Sequence, residues 1–151
     1  MAYTYHQGFF KPSNPEKYKG NYNEIVFRSG LEFSYMCYLD RHPDVIRWAS
    51  EESFFIISYR DPTSKGKIRR YFPDFWVQKR NKDGTISTVI VEIKPASQTV
   101  CPPMGKNGKV AKNRVKAALT YAKNRAKWDA AEAYCKQKGC QFVILTERDI
   151  L

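Results

Sequence analysis

The chain has 151 residues, the size of one ordinary domain, and 42% of them are apolar, which supports a packed core and excludes a disordered tail. Lysine and arginine number 26 against 15 acids, giving a net charge of +11 and a pI of about 9.6; this is the electrostatic footprint of a polyanion binder, and nucleic acid is the commonest such partner. No apolar run is long enough to cross a bilayer, and the opening MAYTYHQGFFKPSNPEKYKG lacks the apolar stretch of a secretory signal.

Residues 1–23 are rich in Pro, Asn, Lys and Tyr and show no periodicity, so an extended arm is expected ahead of a domain over 24–151. Leu31, Tyr35, Tyr38 and Leu39 then recur at helical spacing. Ser29 stands where an N-cap would, Glu32 lies three residues on, and Pro43 ends the helix. The stretch VIRWASEESFFIISYRD is β-branched and aromatic and reads as one strand, strongest over Phe54–Tyr59. DPTSKGK is a turn, and IRRYFPDFWVQKR is strand-like, with Pro73 marking an edge position or a bulge beside a site. NKDG is a hairpin signal, and TISTVIVEIKP follows as a strand whose near-continuous apolar centre fits a buried position. Residues 95–108 read as a loop. Lys109 to Lys138 are helical, with a break expected at Asn124 and with Trp128, Ala131, Tyr134 and Cys135 on one face. Gly139 stops the helix and CQFVILTE is a last strand. The order is that of a mixed α/β domain with helices flanking one sheet.

Cys37, Cys101, Cys135 and Cys140 form no C-x-x-C pair, and only His6 and His42 accompany them, which argues against a zinc site. Reduced thiols in a cytosolic compartment are the natural reading.

The residues that carry chemistry lie on the middle strands. Glu92 and Lys94 are two apart on a strand, so both point to one face and Ile93 to the other. If the strands on either side of NKDG pair, Asp74 approaches Glu92. Two neighbouring carboxylates repel unless a cation lies between them, and Mg²⁺ is the usual hard cation for carboxylate oxygens combined with substrate phosphate. Phosphodiester hydrolysis calls for an activated water, a Lewis acid and stabilised charge, and Lys94 can orient the water or offset the charge. Glu32 has two competing readings, a capping-box acid and a site acid, and the site reading is preferred. Glu51 and Glu52 read as strand-end acids, and Trp48, Trp76 and Trp128 as packing aromatics.

Basic residues fall into two groups around these strands, with Arg28 beside the first helix. Lys65, Lys67, Arg69 and Arg70 precede Asp74. Lys106, Lys109, Lys112, Arg114, Lys116, Lys123, Arg125 and Lys127 follow Glu92, and no acid interrupts the run from Ile93 to Trp128. A solvated helix normally interleaves both signs, so one-sign charge next to the strands suggests a phosphate-tracking surface, with double-stranded DNA as the expected partner.

Pro73-Asp74 and Glu92-Ile93-Lys94, in this order of elements, resemble the PD-(D/E)xK nuclease superfamily. The resemblance implies a restriction-endonuclease-like fold of αβββαβ order. It also implies metal ligation by Asp74 and Glu92 with the Ile93 backbone carbonyl, and a first-helix acid at Glu32 that ligates directly or through water, or orients the site. Mg²⁺ is the implied cofactor, with Mn²⁺ as a substitute. A narrower resemblance is carried by Arg28-Ser29 with Glu32, Trp48-Ala49-Ser50-Glu51, Arg69 through Trp76, Glu92 through Pro95, Asn124 with Lys127-Trp128, and Phe142 through Glu147. These segments are similar to the head completion nucleases of contractile-tailed phages, which share features with TnsA-type transposon endonucleases. That resemblance implies an endonuclease acting on DNA in the host cytoplasm and associated with the virion, with portal or head–tail connector proteins as partners. Two other readings stay open: an assembly protein that keeps the fold only to bind DNA or portal, and a junction- or transposon-type endonuclease.

Overall fold

The computed structural model of the chain describes residues 7–102 and 112–150. In chain order its strands are β1 (Gly8–Phe9), β2 (Val26–Phe27), β3 (Val45–Ser50), β4 (Ile57–Asp61), β5 (Lys67–Tyr71), β6 (Phe75–Arg80), β7 (Ile86–Ile93) and β8 (Gln141–Leu145). The helices are α1 (Gly30–Arg41), α2 (Lys112–Lys138) and the short α3 (Glu147–Ile150). The main sheet has the order β3-β6-β7-β8, with its first three strands antiparallel and β8 parallel to β7. Taken with α1 and α2, these strands give the expected αβββαβ order and the mixed sheet of a restriction-endonuclease-like core.

Strand β7 is central because its sequence tolerates burial on both faces: Val89, Ile90, Val91 and Glu92 are all buried. Its alternation divides the sheet. Val89 and Val91 face α1 beside Val77 and Tyr35, whereas Ile90 faces α2 beside Trp76 and Tyr134. The β6–β7 hairpin closes at the expected NKDG turn. There the Asn81 N–H donates to the Thr85 carbonyl at 2.7 Å, and Gly84 takes the left-handed φ of 84° that a side chain would resist.

Helix α1 is capped reciprocally. The Glu32 N–H donates to Ser29 Oγ at 3.1 Å, and the Glu32 carboxylate reaches back to the Arg28 N–H at 2.9 Å. Tyr35, Met36 and Leu39 face the core, where Tyr35 meets Phe75 edge-on and Phe75 lies against Trp48.

Four expectations need correction. The stretch Val45–Asp61 is not one strand: it is β3, a 3₁₀ turn at Ser53–Phe55 and then β4, which belongs to a different sheet. Glu51, with φ of 50°, turns the chain out of the main sheet. IRRYFPDFWVQKR is likewise two strands, and Pro73 is neither edge residue nor bulge. Buried and without an N–H to donate, it stands where the chain leaves the β4–β5 hairpin and enters β6. Helix α2 runs unbroken through Asn124, which is buried on the same stripe as Trp128, Ala131 and Cys135, so packing along that stripe overrides the local capping preference of asparagine. The helix ends as expected at Gly139, with the Cys140 N–H closing on the Cys135 carbonyl at 2.9 Å. The segment expected as an arm carries β1, which pairs with β2, and places Phe10 and Tyr18 in the core, with Tyr18 edge-on to Trp48 at 4.8 Å. Asp40 fixes it by accepting the Ser13 and Asn14 N–H groups at 2.8 and 3.0 Å.

The β4–β5 hairpin is a separate two-stranded layer. Its inward residues Ile57, Tyr59 and Tyr71 pack on Ala131 of α2. The fully buried Asp61 ties hairpin to helix, accepting from Arg69 Nε at 2.8 Å and standing 3.6 Å from Lys123 Nζ. The Thr63 hydroxyl and N–H, with these two cations, hold the Asp61 carboxyl well below the usual carboxylate range.

Candidate active site

Asp74 precedes β6 and Glu92 lies near the end of β7. The strands pair Phe75 with Val91, so one step further along the antiparallel register sets Asp74 opposite Glu92, on the α2 face of the sheet. Asp74 Oδ2 accepts the Ile93 N–H at 2.7 Å, and the Asp74 carbonyl accepts the Glu51 N–H at 3.2 Å. Glu92 is buried and its two oxygens are divided: Oε2 accepts the Tyr71 hydroxyl, and Oε1 lies 3.9 Å from Lys94 Nζ. Lys94 sits one residue beyond β7, anchored by its N–H on the Leu145 carbonyl at 3.0 Å.

Electrostatics follow from this crowding. Burial, and next the Glu92 carboxylate, push Asp74 well above the usual carboxylate range; Glu32 and Glu51 add to the rise and the Ile93 N–H opposes it. Burial raises Glu92 as well, against the Tyr71 hydroxyl and the charges of Lys94 and Lys127. The two carboxyls titrate as a pair that retains a proton above the ordinary range. Glu32 is raised by burial, opposed by its bond from the Arg28 N–H and by the charges of Arg28 and Lys94. The Tyr71 hydroxyl, buried against Glu92, is pushed far above its ordinary value and stays a donor.

A raised carboxyl stabilises the fold below its unfolded pKa, and that contribution is lost as pH rises through the folded value. Asp74, Glu92 and Glu32 all have this sign. In EDTA the protein is therefore expected to melt several degrees higher at about pH 5.5 than at about pH 8, since roughly 1 kcal/mol moves the midpoint of a domain this size by 2–4 °C. Asp61, shifted the other way, acts only at more acid pH. Glu92→Gln should flatten the slope in differential scanning fluorimetry; an unchanged slope would place its origin elsewhere.

The donor set suits a small hard cation. Among the described residues no three His, Cys, Asp or Glu side chains converge to cage a metal. Mg²⁺ rarely takes such a cage; it uses one or two carboxylates and fills its octahedron with waters and phosphate oxygens. Asp74 and Glu92, two partly desolvated like charges with the Ile93 peptide beside them, are that kind of pair. Glu32 stands at the rim with its carboxylate on the Arg28 N–H, so the capping role is filled, yet it lies close enough to raise Asp74. Glu51 belongs to the same rim: its left-handed backbone puts its N–H on Asp74, and its carboxylate pairs with Arg28 Nη1.

The basic residues separate into two kinds. Arg28 is paired with Glu51, Arg69 with Asp61 and Ser64, Lys123 with Asp61, and Arg125 with Asp129 at 3.2 Å. Lys65, Lys67, Arg70 and Lys116 are exposed and Arg114 partly so. Lys127 is half-buried inside the site, its ammonium 5.6 Å from the Tyr71 ring centroid and 5.8 Å from that of Tyr59. Lys106 and Lys109 lie outside the described residues, as does the Lys112 side chain. Sequence reasoning does not single out Tyr71; its signal is the alternation of β5, which turns Tyr71 to the buried face three residues before Asp74.

Residues 42–147 match the family model described as the TnsA-like endonuclease N-terminal domain. Over 149 residues the chain is 35% identical to the head completion nuclease of Enterobacteria phage T4, an alignment that covers 97% of this chain and 93% of that protein.

Proposed function

The chain belongs to the TnsA-like endonuclease family of the PD-(D/E)xK superfamily, and from that premise we propose that it hydrolyses DNA phosphodiester bonds with Mg²⁺ at a centre formed by Asp74, Glu92 and Lys94. The observation that carries this reading is the register-matched pair of partly desolvated carboxylates at the end of the main sheet, with one lysine 3.9 Å from Glu92. Asp74, Glu92 and the Ile93 carbonyl would hold the cation, and Glu32 would act through water or by orienting the rim. When bound, Mg²⁺ supplies a Lewis acid on the phosphoryl oxygen and lowers the pKa of a water. Lys94 orients the attacking water and offsets charge on the phosphoryl oxygens. The exposed Lys65, Lys67, Arg70 and Lys116, with the partly exposed Arg114, seat the duplex by its phosphates without reading sequence.

The name of the T4 relative supports a role in head completion; we place that role after DNA packaging, in the host cytoplasm and at the virion, beside portal or head–tail connector proteins. We take residues 24–151 as the nuclease unit, with residues 7–23 strapped across α1 and β3 and adding Phe10 and Tyr18 to its core. Purified protein incubated with supercoiled and linear plasmid is expected to cut both in Mg²⁺ or Mn²⁺ and neither in EDTA. DNA binding without cutting in either metal would favour the binding-only assembly protein instead.

A further inference from the structure

Tyr71 lies outside the expected centre yet touches it. It ends β5, is 4% exposed, and donates its hydroxyl to Glu92 Oε2. Its ring is fixed on three sides. Ile57 lies opposite in the hairpin, Ala131 packs beneath from α2, and the Lys127 ammonium lies above at 5.6 Å from the centroid. The hairpin is itself pinned to α2 through the buried Asp61 of β4, with Arg69 of β5 and Lys123 of the helix. Tyrosine and glutamate therefore meet on supports that do not depend on their own bond.

We infer that Tyr71 is a positioning residue for Glu92: the docked hairpin holds one carboxylate oxygen, Oε2, on the Tyr71 hydroxyl and leaves the other, Oε1, facing Lys94 and the place of the cation. The inference rests on the proposed metal role of Glu92 and deepens it. A glutamate has three rotatable bonds and, when free, many orientations; hydrogen bonds that fix a ligating carboxylate commonly change metal affinity by 10–100-fold. The hydroxyl suits the task because it gives one directional donor and adds no charge that would compete with the metal. Lysine at the same place would neutralise Glu92 and weaken its hold on a cation.

The test uses Tyr71→Phe in the full chain, which removes the hydroxyl and keeps the ring, its apolar contacts and the cation above it. Mn²⁺ alone is the probe, its free concentration read by electron paramagnetic resonance without DNA. Tyr71→Phe is expected to keep a cooperative melt and to bind Mn²⁺ about tenfold more weakly. The Mg²⁺ concentration giving half-maximal plasmid cleavage should rise by the same factor, while the rate at saturating Mg²⁺ stays within about threefold of wild type. Mn²⁺ affinity within twofold of wild type, or tighter, would overturn the inference, as would a loss of rate that saturating Mg²⁺ does not restore. Glu92→Gln serves as the reference. If it binds Mn²⁺ as wild type does, the metal role of Glu92 fails and the inference falls with it; if it loses Mn²⁺ while Tyr71→Phe does not, only the inference fails.

Discussion

Asp74→Asn and Glu92→Gln should each lower plasmid cleavage by at least about 10³-fold and, in EDTA, raise the melting temperature of the same protein. The first effect would be the loss of a charged group proposed to hold the metal: about 4 kcal/mol of transition-state stabilisation corresponds to that factor in rate. The second follows from the geometry. Asp74 and Glu92 are both raised by burial and the Glu92 carboxylate raises Asp74 further, so neutralising either removes a cost that the unfolded chain does not feel. Both substitutions keep the useful hydrogen bonds. The amide oxygen of Asp74→Asn can still accept the Ile93 N–H, and that of Glu92→Gln can still accept from Tyr71. A gain of a few degrees is expected, from roughly 1–2 kcal/mol. Cleavage within tenfold of wild type would move the catalytic centre elsewhere, and a lower melting temperature would mean that the charges are held as a structural pair.

Lys94→Ala should lower cleavage by about 10²–10³-fold at saturating Mg²⁺ with DNA affinity nearly unchanged. Positioned acid–base or water-orienting groups commonly contribute that range. The side chain is 28% exposed, close to Glu92, and fixed at its base by the bond from its N–H to Leu145. It leaves the sheet at a defined place rather than from a loose loop. Lys94→Arg should recover little, since a planar guanidinium with its donors in a fork does not reproduce a compact ammonium. Single-turnover cleavage at saturating metal, with DNA affinity measured by fluorescence anisotropy in Ca²⁺, separates the two effects. A variant that cuts as wild type once DNA is saturating would reduce Lys94 to a phosphate contact.

The parts of this centre that are legible in the sequence are those fixed by short-range rules. Period-two alternation puts Glu92 and Lys94 on one face, the NKDG turn sets the register that brings Asp74 across, and an apolar run makes β7 central. Other features depend on contacts far apart in the chain. Nothing local in VIRWASEESFFIISYRD says that Glu51 adopts a left-handed backbone and sends the chain into a second sheet, since glutamate is a poor residue for that conformation and its place is marked by distant contacts, its N–H on the Asp74 carbonyl and its carboxylate on Arg28. The Tyr71 bond to Glu92 spans 21 residues and exists only because the hairpin docks on α2. Asn124 reads as a cap until Trp128, Ala131 and Cys135 show that its stripe faces inward. Residues 7–23 have no periodicity because Phe10 and Tyr18 are anchored singly, at separate points, rather than along a repeating face.

Helix α2 carries 27 residues without a break, and residues 115–120 of its first half are exposed. Lys127 sits beside Glu92, and Arg114 lies 13 residues back along the same rod (127 − 114), roughly 20 Å at 1.5 Å per residue. On a duplex that span corresponds to about six base pairs at 3.4 Å each. Because the helix has no break, Arg114 is held at a fixed separation from the proposed centre, so under the proposed function the two cations would meet phosphates as one rigid unit rather than independently.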